Sequence, residues 1–188
     1  MADLADISEH QSGVPGGHDG YIIRTVSDGG REDFMWRQHH AGAAGRPRGA
    51  YCIIKPSISG DTYADLFLGT LRAVPWEIVP TVDIEIGDPW GAHAVAERLR
   101  DRLHAAGYPV VMGYYSRDSA YRQVSQGLFQ RQWIAAYSGS PYPPGADMHQ
   151  YTSTPYDKNY TPDLGRLLLA AAPPPPQQRR VFEDSLLS

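Results

Sequence analysis

Residues 78–115 read IVPTVDIEIGDPWGAHAVAERLRDRLHAAGYPVVMGYY, and their pattern is the strongest indication of the fold class. The apolar run at residues 78–86 predicts a strand that is interrupted at Pro80. Residues 90–106 have the strongest helical periodicity in the chain and end at a Gly and a Pro. The apolar run at residues 110–115 predicts the next strand. A strand, a helix and a second strand in this order are typical of a parallel sheet.

The same alternation continues on both sides of this stretch. On its N-terminal side the pattern predicts strands at residues 4–7, 21–26 and 49–54 and helices at 31–44 and 61–73, with Asp61 as the helix N-cap. On its C-terminal side it predicts a short helix at 120–129, strands at 132–137 and 148–152, and a helix at 163–172. The two late strands are separated only by a loop rich in Gly, Pro and Ser, which leaves no room for a helix.

Five βα units followed by closely spaced strands predict an α/β fold, an irregular TIM-like barrel of the (β/α)5(β)3 type. A complete eightfold barrel usually needs about 250 residues, whereas this chain has 188. An open, doubly wound sheet is the alternative. We expect residues 1–172 to form one catalytic barrel and residues 173–188 to form a Pro-rich C-terminal tail. Four consecutive prolines open that tail and favour a stiff, extended spacer.

Composition excludes several classes of protein. Hydrophobic residues make up 41% and charged residues 20% of the chain, which argues against disorder, and the net charge of -4 argues against non-specific binding to nucleic acid. The single Cys52 cannot form an internal disulfide, and no Cys or His spacing indicates a metal site. No phosphate-binding loop or other cofactor motif is present, and neither a signal peptide nor a membrane span is recognisable.

Two carboxylates dominate the candidate chemistry. Side chains alternate along a strand, so Asp83 and Glu85 project to one face about 6 to 7 Å apart. At the carboxyl end of a barrel strand this pair suits hydrolysis of a glycosidic bond, which needs one acid and one ionised carboxylate. The alternative is an exposed edge strand that carries two solvated acids.

Other residues near predicted strand ends could join this pair. Asp6 ends the first predicted strand, although a turn cap with Ser8 would equally explain an acid there. Aromatic rings that could stack on sugar faces, or simply pack the core, are Tyr51, Tyr114, Tyr115, Trp133, Tyr137 and Tyr151.

In five segments the chain resembles glycoside hydrolase family 25, the lysozymes that act as N-acetylmuramidases on bacterial peptidoglycan. These segments are Asp6-Ile7-Ser8 with Gln11, residues 21–25, residues 41–51 (AGAAGRPRGAY), Asp83-Ile84-Glu85, and Gln150-Tyr151-Thr152-Ser153. They occur in the family's order and spacing, and the resemblance spans residues 3–168. It implies a barrel of five βα units and three further strands, in agreement with the pattern above.

The resemblance also implies roles for particular residues. Glu85 is the expected general acid, Asp83 assists the substrate's 2-acetamido group or stabilises the transition state, and Asp6 completes the catalytic acids. A fourth family acid lies in a late Asp-Leu-Asn, which Asp163 matches in part because Gly165 replaces the Asn. The remaining expected substrate contacts are Tyr51, Tyr115, Trp133, Tyr137, Gln150 and Tyr151. The chain departs from the family at His149, where an aromatic residue usually precedes Gln-Tyr-Thr-Ser.

The expected setting is a bacteriophage. The substrate is bacterial peptidoglycan, and the protein would reach it either from the virion or from the host cytoplasm after release by a holin. The Pro-rich tail suggests contact with virion proteins, and we expect neither a nucleic-acid nor a membrane partner. The alternative is a structural or binding virion protein that keeps the barrel with weak or no catalysis. Sequence leaves the stereochemical course open, whether retaining or inverting.

Overall fold

The computed structural model describes residues 1–137, 142–153 and 156–170, and these residues form nine strands and four α-helices. The strands are β1 (Ala2–Ile7), β2 (Gly20–Ser27), β3 (Arg31–Glu32), β4 (Arg48–Ile53), β5 (Thr81–Asp83), β6 (Met112–Ser116), β7 (Arg131–Ala135), β8 (Met148–Thr152) and β9 (Asp157–Thr161). The helices are α1 (Trp36–Gly42), α2 (Gly60–Ala73), α3 (Pro89–Ala105) and α4 (Ala120–Ser125), with short 3-10 helices at Gln126–Leu128 and Leu164–Leu167.

Eight of the strands close into a barrel. Around the barrel the order is β1, β2, β4, β5, β6, β7, β8 and β9, and β9 pairs again with β1. Neighbours from β1 to β8 are parallel, whereas β9 is antiparallel to both β8 and β1, and β3 only extends β2 as a hairpin. The predicted irregular TIM-like barrel is thus confirmed, and the open sheet is excluded. The carboxyl ends of β1 to β8 and the amino end of β9 form one mouth.

Local signals explain where the two long helices begin. The Ser59 hydroxyl accepts a hydrogen bond of 3.1 Å from the Thr62 amide and caps α2. The Asp88 carboxylate accepts one of 2.7 Å from the Gly91 amide and caps α3, whose first residue is a proline. The N-cap of α2 is therefore Ser59, and the expectation that Asp61 fills that position is wrong.

Buried apolar side chains form two layers because strand residues alternate between the two faces of the sheet. The inner layer fills the barrel and includes Leu4, Ile22, Met112, Met148 and Leu167. The outer layer lies between sheet and helices and includes Ile23, Val82, Phe67, Leu99 and Tyr115.

The helices cover only part of the barrel. They follow β3, β4, β5 and β6, whereas residues 8–19 connect β1 to β2 without a helix. Among the residues that the structure describes, no helix lies between β7 and β8 or between β8 and β9 either. The outer face of β8, β9 and β1 therefore lacks a helical layer in this part of the chain.

Several predicted boundaries differ from those of the structure. The predicted helix at residues 31–44 is reduced to α1, because residues 31 and 32 pair with β2 instead. The predicted strand at 78–86 is reduced to β5, and Glu85 lies just beyond it. The predicted helix at 163–172 contains only a four-residue 3-10 turn among the described residues. β9 was not predicted.

Two further expectations concern residues 171–188, which lie outside the described residues: the barrel boundary at 172 and the Pro-rich tail at 173–188. Within the described residues, none of the helices is long and apolar enough to cross a membrane.

Candidate active site

Four carboxyl groups meet at the mouth of the barrel. Asp6 is near the end of β1, and Asp83 is the last residue of β5. Glu85 lies two residues beyond Asp83, and Asp157 is the first residue of β9. Asp6 and Asp157 lie directly opposite each other in the β1–β9 ladder. The expectation that Asp6, Asp83 and Glu85 share one site agrees with this arrangement, because their charges act on one another.

Asp83 is one of two buried acids at the mouth, together with Asp6. Its side chain is buried, and among the described residues its Oδ1 has no hydrogen-bond partner. Burial raises the pKa of Asp83 well above its ordinary value, and the charges of Glu85 and Asp6 raise it further, whereas Arg24 lowers it. A buried carboxylate oxygen without a donor is costly, so this oxygen is suited to accept a hydrogen bond from a bound ligand.

Glu85 reaches solvent at the rim of the mouth. The walls around it still remove much of its hydration, and this desolvation together with the charge of Asp157 raises the pKa of Glu85. A carboxyl that holds its proton to higher pH and contacts solvent is suited to act as a general acid.

Asp6 and Asp157 form a pair that shares a hydrogen bond. Two carboxyls can make such a bond only when one of them carries the proton, so the pair binds a proton more tightly than two separate acids would. Burial raises the pKa of Asp6 well above its ordinary value, and Asp157 raises it further. Burial also raises the pKa of Asp157.

Two amides hold Asp6 in place. Asn159 Nδ2 donates to Asp6 Oδ2 at 2.9 Å, and Gln150 Nε2 donates to the same oxygen at 3.3 Å. Trp133 Nε1 donates to Asn159 Oδ1 at 2.8 Å, and Tyr114 donates to Gln150 Oε1 at 2.7 Å. These donors fix the orientation of both amides, so that their NH2 groups face the acid.

Arg24 brings positive charge to the same mouth from β2. Its Nε donates to Asp33 Oδ2 at 2.9 Å, and its Nη2 lies 2.9 Å from Glu9 Oε1. Asp33 also accepts hydrogen bonds from the Glu9 and Met35 amides, so this guanidinium is held in a fixed position.

The structure brings four of the expected substrate contacts to the acids. Tyr51 and Trp133 pack edge to face inside the barrel at 6.2 Å, and the pKa of Tyr51 is raised by burial and by Asp6 and Asp83. Tyr137 donates to Gln150 Oε1 at 3.0 Å, which places both at the mouth.

Three other expected contacts lie elsewhere. Tyr115 faces the helices and donates to the Ser125 carbonyl at 3.1 Å, because its neighbour Tyr114 takes the inward position on β6. Tyr151 faces outward, because its neighbour Gln150 faces inward. Asp163 follows the carboxyl end of β9 and is exposed at the opposite end of the barrel, because β9 runs antiparallel. These placements correct the expectation for each of the three residues.

Sequence reasoning missed Asp157 and Asn159 as site residues. The signal was an Asp-x-Asn at 157–159, in which alternation places both side chains on one face of a strand. It matches the family's late Asp-Leu-Asn more fully than residues 163–165 do.

In chemical terms the mouth combines an exposed acid of raised pKa, a buried carboxylate with an open acceptor and a second acid pair. Such a set can protonate a leaving oxygen and stabilise positive charge on a sugar ring. Within the described residues, no group of three or more His, Cys, Asp or Glu side chains could hold a metal ion.

Several solved structures share this fold. A bacterial lysozyme from Streptomyces coelicolor superposes with a TM-score of 0.71 at 18% identity, covering 88% of this chain and 94% of that chain. A muramidase from Trichobolus zukalii superposes with a TM-score of 0.67 at 20% identity, covering 87% of this chain and 94% of the muramidase chain. The CTP1L endolysin superposes with a TM-score of 0.69 at 18% identity, covering 87% of this chain and 67% of the endolysin chain.

A comparison with curated proteins finds no match. The family model described as glycosyl hydrolases family 25 matches residues 6–160, a span that runs from Asp6 on β1 to β9 and contains all four mouth acids. The chain therefore belongs to glycosyl hydrolases family 25 and is a glycoside hydrolase.

Proposed function

We propose that this protein is an N-acetylmuramidase, which hydrolyses the β-1,4 bond between N-acetylmuramic acid and N-acetylglucosamine in peptidoglycan. The observation that carries the proposal is the pairing of Glu85, exposed at the rim, with the buried and unsatisfied Asp83. Membership of the family supports it, as does the fold shared with a lysozyme and a muramidase.

Glu85 acts as the general acid. Its raised pKa keeps it protonated to higher pH, and it gives this proton to the glycosidic oxygen as the bond from that oxygen to the sugar C1 breaks. A water molecule then completes the hydrolysis, and Glu85 takes back a proton from that water.

Asp83 assists at C2, the carbon next to the reacting C1. Its open Oδ1 acceptor suits the N–H of the 2-acetamido group, whose carbonyl oxygen would attack C1 and form a cyclic intermediate. The positive charge that develops on the ring favours the ionised form of Asp83, and the Asp83 carboxylate in turn stabilises that charge. This route predicts retention of configuration at C1, because two successive inversions occur there.

Release of reducing ends from purified Gram-positive peptidoglycan tests this proposal. The wild type should produce new N-acetylmuramic acid ends, and Glu85→Gln should lower the rate by at least about a hundredfold while the fold is kept. Glu97→Gln is the matched control, because Glu97 is exposed on α3 and pairs only with Arg100 at 3.8 Å among the salt bridges of the described residues. New N-acetylglucosamine ends, or equal rates for wild type and Glu85→Gln, would contradict the proposal. Absence of any new ends from walls of several species would favour a barrel that binds glycan without cleaving it.

The proposed setting is bacteriophage lysis, by an endolysin or by a virion-borne lysin. The fold shared with the CTP1L endolysin supports this setting. Expression in a host with and without a holin tests the endolysin form, for which lysis should require the holin. Lysis of cells by purified virions, lost when the virions carry Glu85→Gln, would instead identify a virion component.

A further inference from the structure

A cavity lies on the outer wall of the barrel, where the described residues form no helical layer. It has a volume of about 430 Å³ and is lined by Asp3, Tyr142, His149, Tyr151 and Tyr160, and we name it the outer cavity. Its volume lies in the range of about 300–1,000 Å³ that is usual for small-molecule sites.

The outer cavity and the mouth use opposite faces of the same strands. On β8, Gln150 faces the acids, whereas His149 and Tyr151 face the outer cavity. On β9, Asn159 faces inward and Tyr160 faces outward. The outer cavity is therefore separate from the mouth, although only the thickness of one sheet divides them.

Aromatic rings form the walls of the outer cavity. Tyr142 packs edge to face against His149 at 5.7 Å and against Tyr160 at 5.6 Å, and His149 contacts Tyr151 at 6.3 Å. Tyr151 remains 38% exposed, so part of its surface is accessible to a ligand. Rings of this kind present flat apolar faces with polar tips, which suits the C–H faces and hydroxyl rim of a sugar.

A single carboxylate supplies the charge of the outer cavity. Asp3 accepts a hydrogen bond of 3.1 Å from Tyr151, and its other oxygen lies 2.8 Å from His18 Nδ1. Both contacts fix the carboxylate, whose side chain is still 43% exposed. A fixed, exposed carboxylate attracts hydroxyl and amide donors and repels phosphates and carboxylates.

We propose that the outer cavity is a second saccharide site, which binds neutral β-linked N-acetylhexosamine units of the glycan that the mouth cleaves. The inference rests on the proposed function for the identity of the polymer. A glycan strand repeats the same unit many times, so a second site would hold the enzyme on its substrate and raise the local concentration of cleavable bonds.

Binding of triacetylchitotriose to the Glu85→Gln protein tests the proposal directly. Amide NMR shifts should change at two separate groups of residues, one at the mouth around Asp83 and Glu85 and one on the outer wall around Asp3 and Tyr142. Changes confined to the mouth would overturn the proposal. So would changes at the outer cavity that appear with a peptide of the sequence of residues 171–182 but not with the sugar.

Variants of the outer cavity test its contribution to activity. Tyr142→Leu combined with Tyr160→Leu removes two flat rings but keeps apolar volume, and it should lower hydrolysis of intact walls about fivefold while hydrolysis of soluble fragments changes less than about twofold. Tyr108→Leu is the control, because Tyr108 is buried beyond the end of α3 and distant from the outer cavity. If the double variant and Tyr108→Leu hydrolyse intact walls at equal rates, the proposal is contradicted. If the double variant fails to fold, Asp3→Asn provides the same comparison with little change of shape.

The two proposals can fail separately. Two groups of NMR shifts without any release of reducing ends would keep the saccharide site and reject the hydrolase assignment. Release of N-acetylmuramic acid ends with shifts only at the mouth would keep the hydrolase and reject the second site.

Discussion

At the scale of single residues, Asp83 lowers the stability of the fold at neutral pH. Because burial raises its folded-state pKa, the folded protein holds this proton where the unfolded chain has lost it. The free energy of unfolding therefore falls as the pH rises from about 4 through the raised pKa. This is the cost of keeping an unsatisfied carboxylate ready for a substrate.

Asp83→Asn should accordingly be inactive and more stable. At pH 7 we expect a gain of about 1 kcal/mol, or roughly 2–4 °C in the melting temperature, and a smaller gain at pH 4. Thermal melts at both pH values measure it, with Asp101→Asn on the exposed surface of α3 as the control. A gain that is the same at pH 4 and pH 7 would show that the carboxylate's charge is not the cause.

Asp157 and Asp163 differ in their expected contribution to catalysis. Asp157 shares a hydrogen bond with Asp6 in the mouth, whereas Asp163 is exposed at the other end of the barrel. Asp157→Asn should lower kcat by roughly a hundredfold, and Asp163→Asn should leave it unchanged. Steady-state kinetics on soluble wall fragments compares the kcat of the two variants. A larger loss of kcat in Asp163→Asn than in Asp157→Asn would contradict the arrangement at the mouth.

Asp83 and Glu85 were proposed from the sequence because alternation along a predicted strand places both on one face, and Asp6 because it lies near the end of another predicted strand. The family resemblance supplied their expected roles. Asp157 was missed because residues 157–159 read Asp-Lys-Asn, and these residue types are depleted in strands, so no strand was predicted there. Here they are tolerated because two of the three point into the polar mouth.

At the scale of elements, β6 depends on Gly113. A Cβ added there would lie against the Tyr115 hydroxyl and 2.5 Å from Phe129, so Gly113→Ala should destabilise the protein by about 1–3 kcal/mol. Gly69→Ala is the opposite case, because nothing lies within 4 Å of its added Cβ on the exposed side of α2. It should stabilise by up to about 1 kcal/mol. Urea unfolding measures the stability of both variants, and equal unfolding midpoints for Gly113→Ala and Gly69→Ala would contradict the prediction.

The cores of the elements were predictable, but their ends were not. α3 was located closely because five buried positions repeat at helical spacing and Asp88 caps it. The start of α1 was misplaced because residues 31 and 32 pair with β2, and because Asp33 binds Arg24 and the Glu9 amide. No local pattern reveals these contacts between residues far apart in sequence.

At the scale of the whole molecule, β9 closes the barrel by pairing with both β8 and β1. Ending the chain after Thr152 removes β9 with Asp157 and Asn159, so it should leave an open sheet that unfolds. Removing residues 173–188 should preserve activity on soluble fragments, since every mouth residue precedes residue 160. Circular dichroism and reducing-end assays test both truncations, and a folded, active product of the first would contradict closure by β9.

The pairing of β1 with β9 also bears on how the protein is made. Asp6 emerges from the ribosome before its partner Asp157, which follows 151 positions later in the chain. Contacts this distant in sequence form late in folding, because a long loop must close before they do. A nascent chain therefore carries its first acid without a completed site, and it becomes a hydrolase only when β9 has left the ribosome.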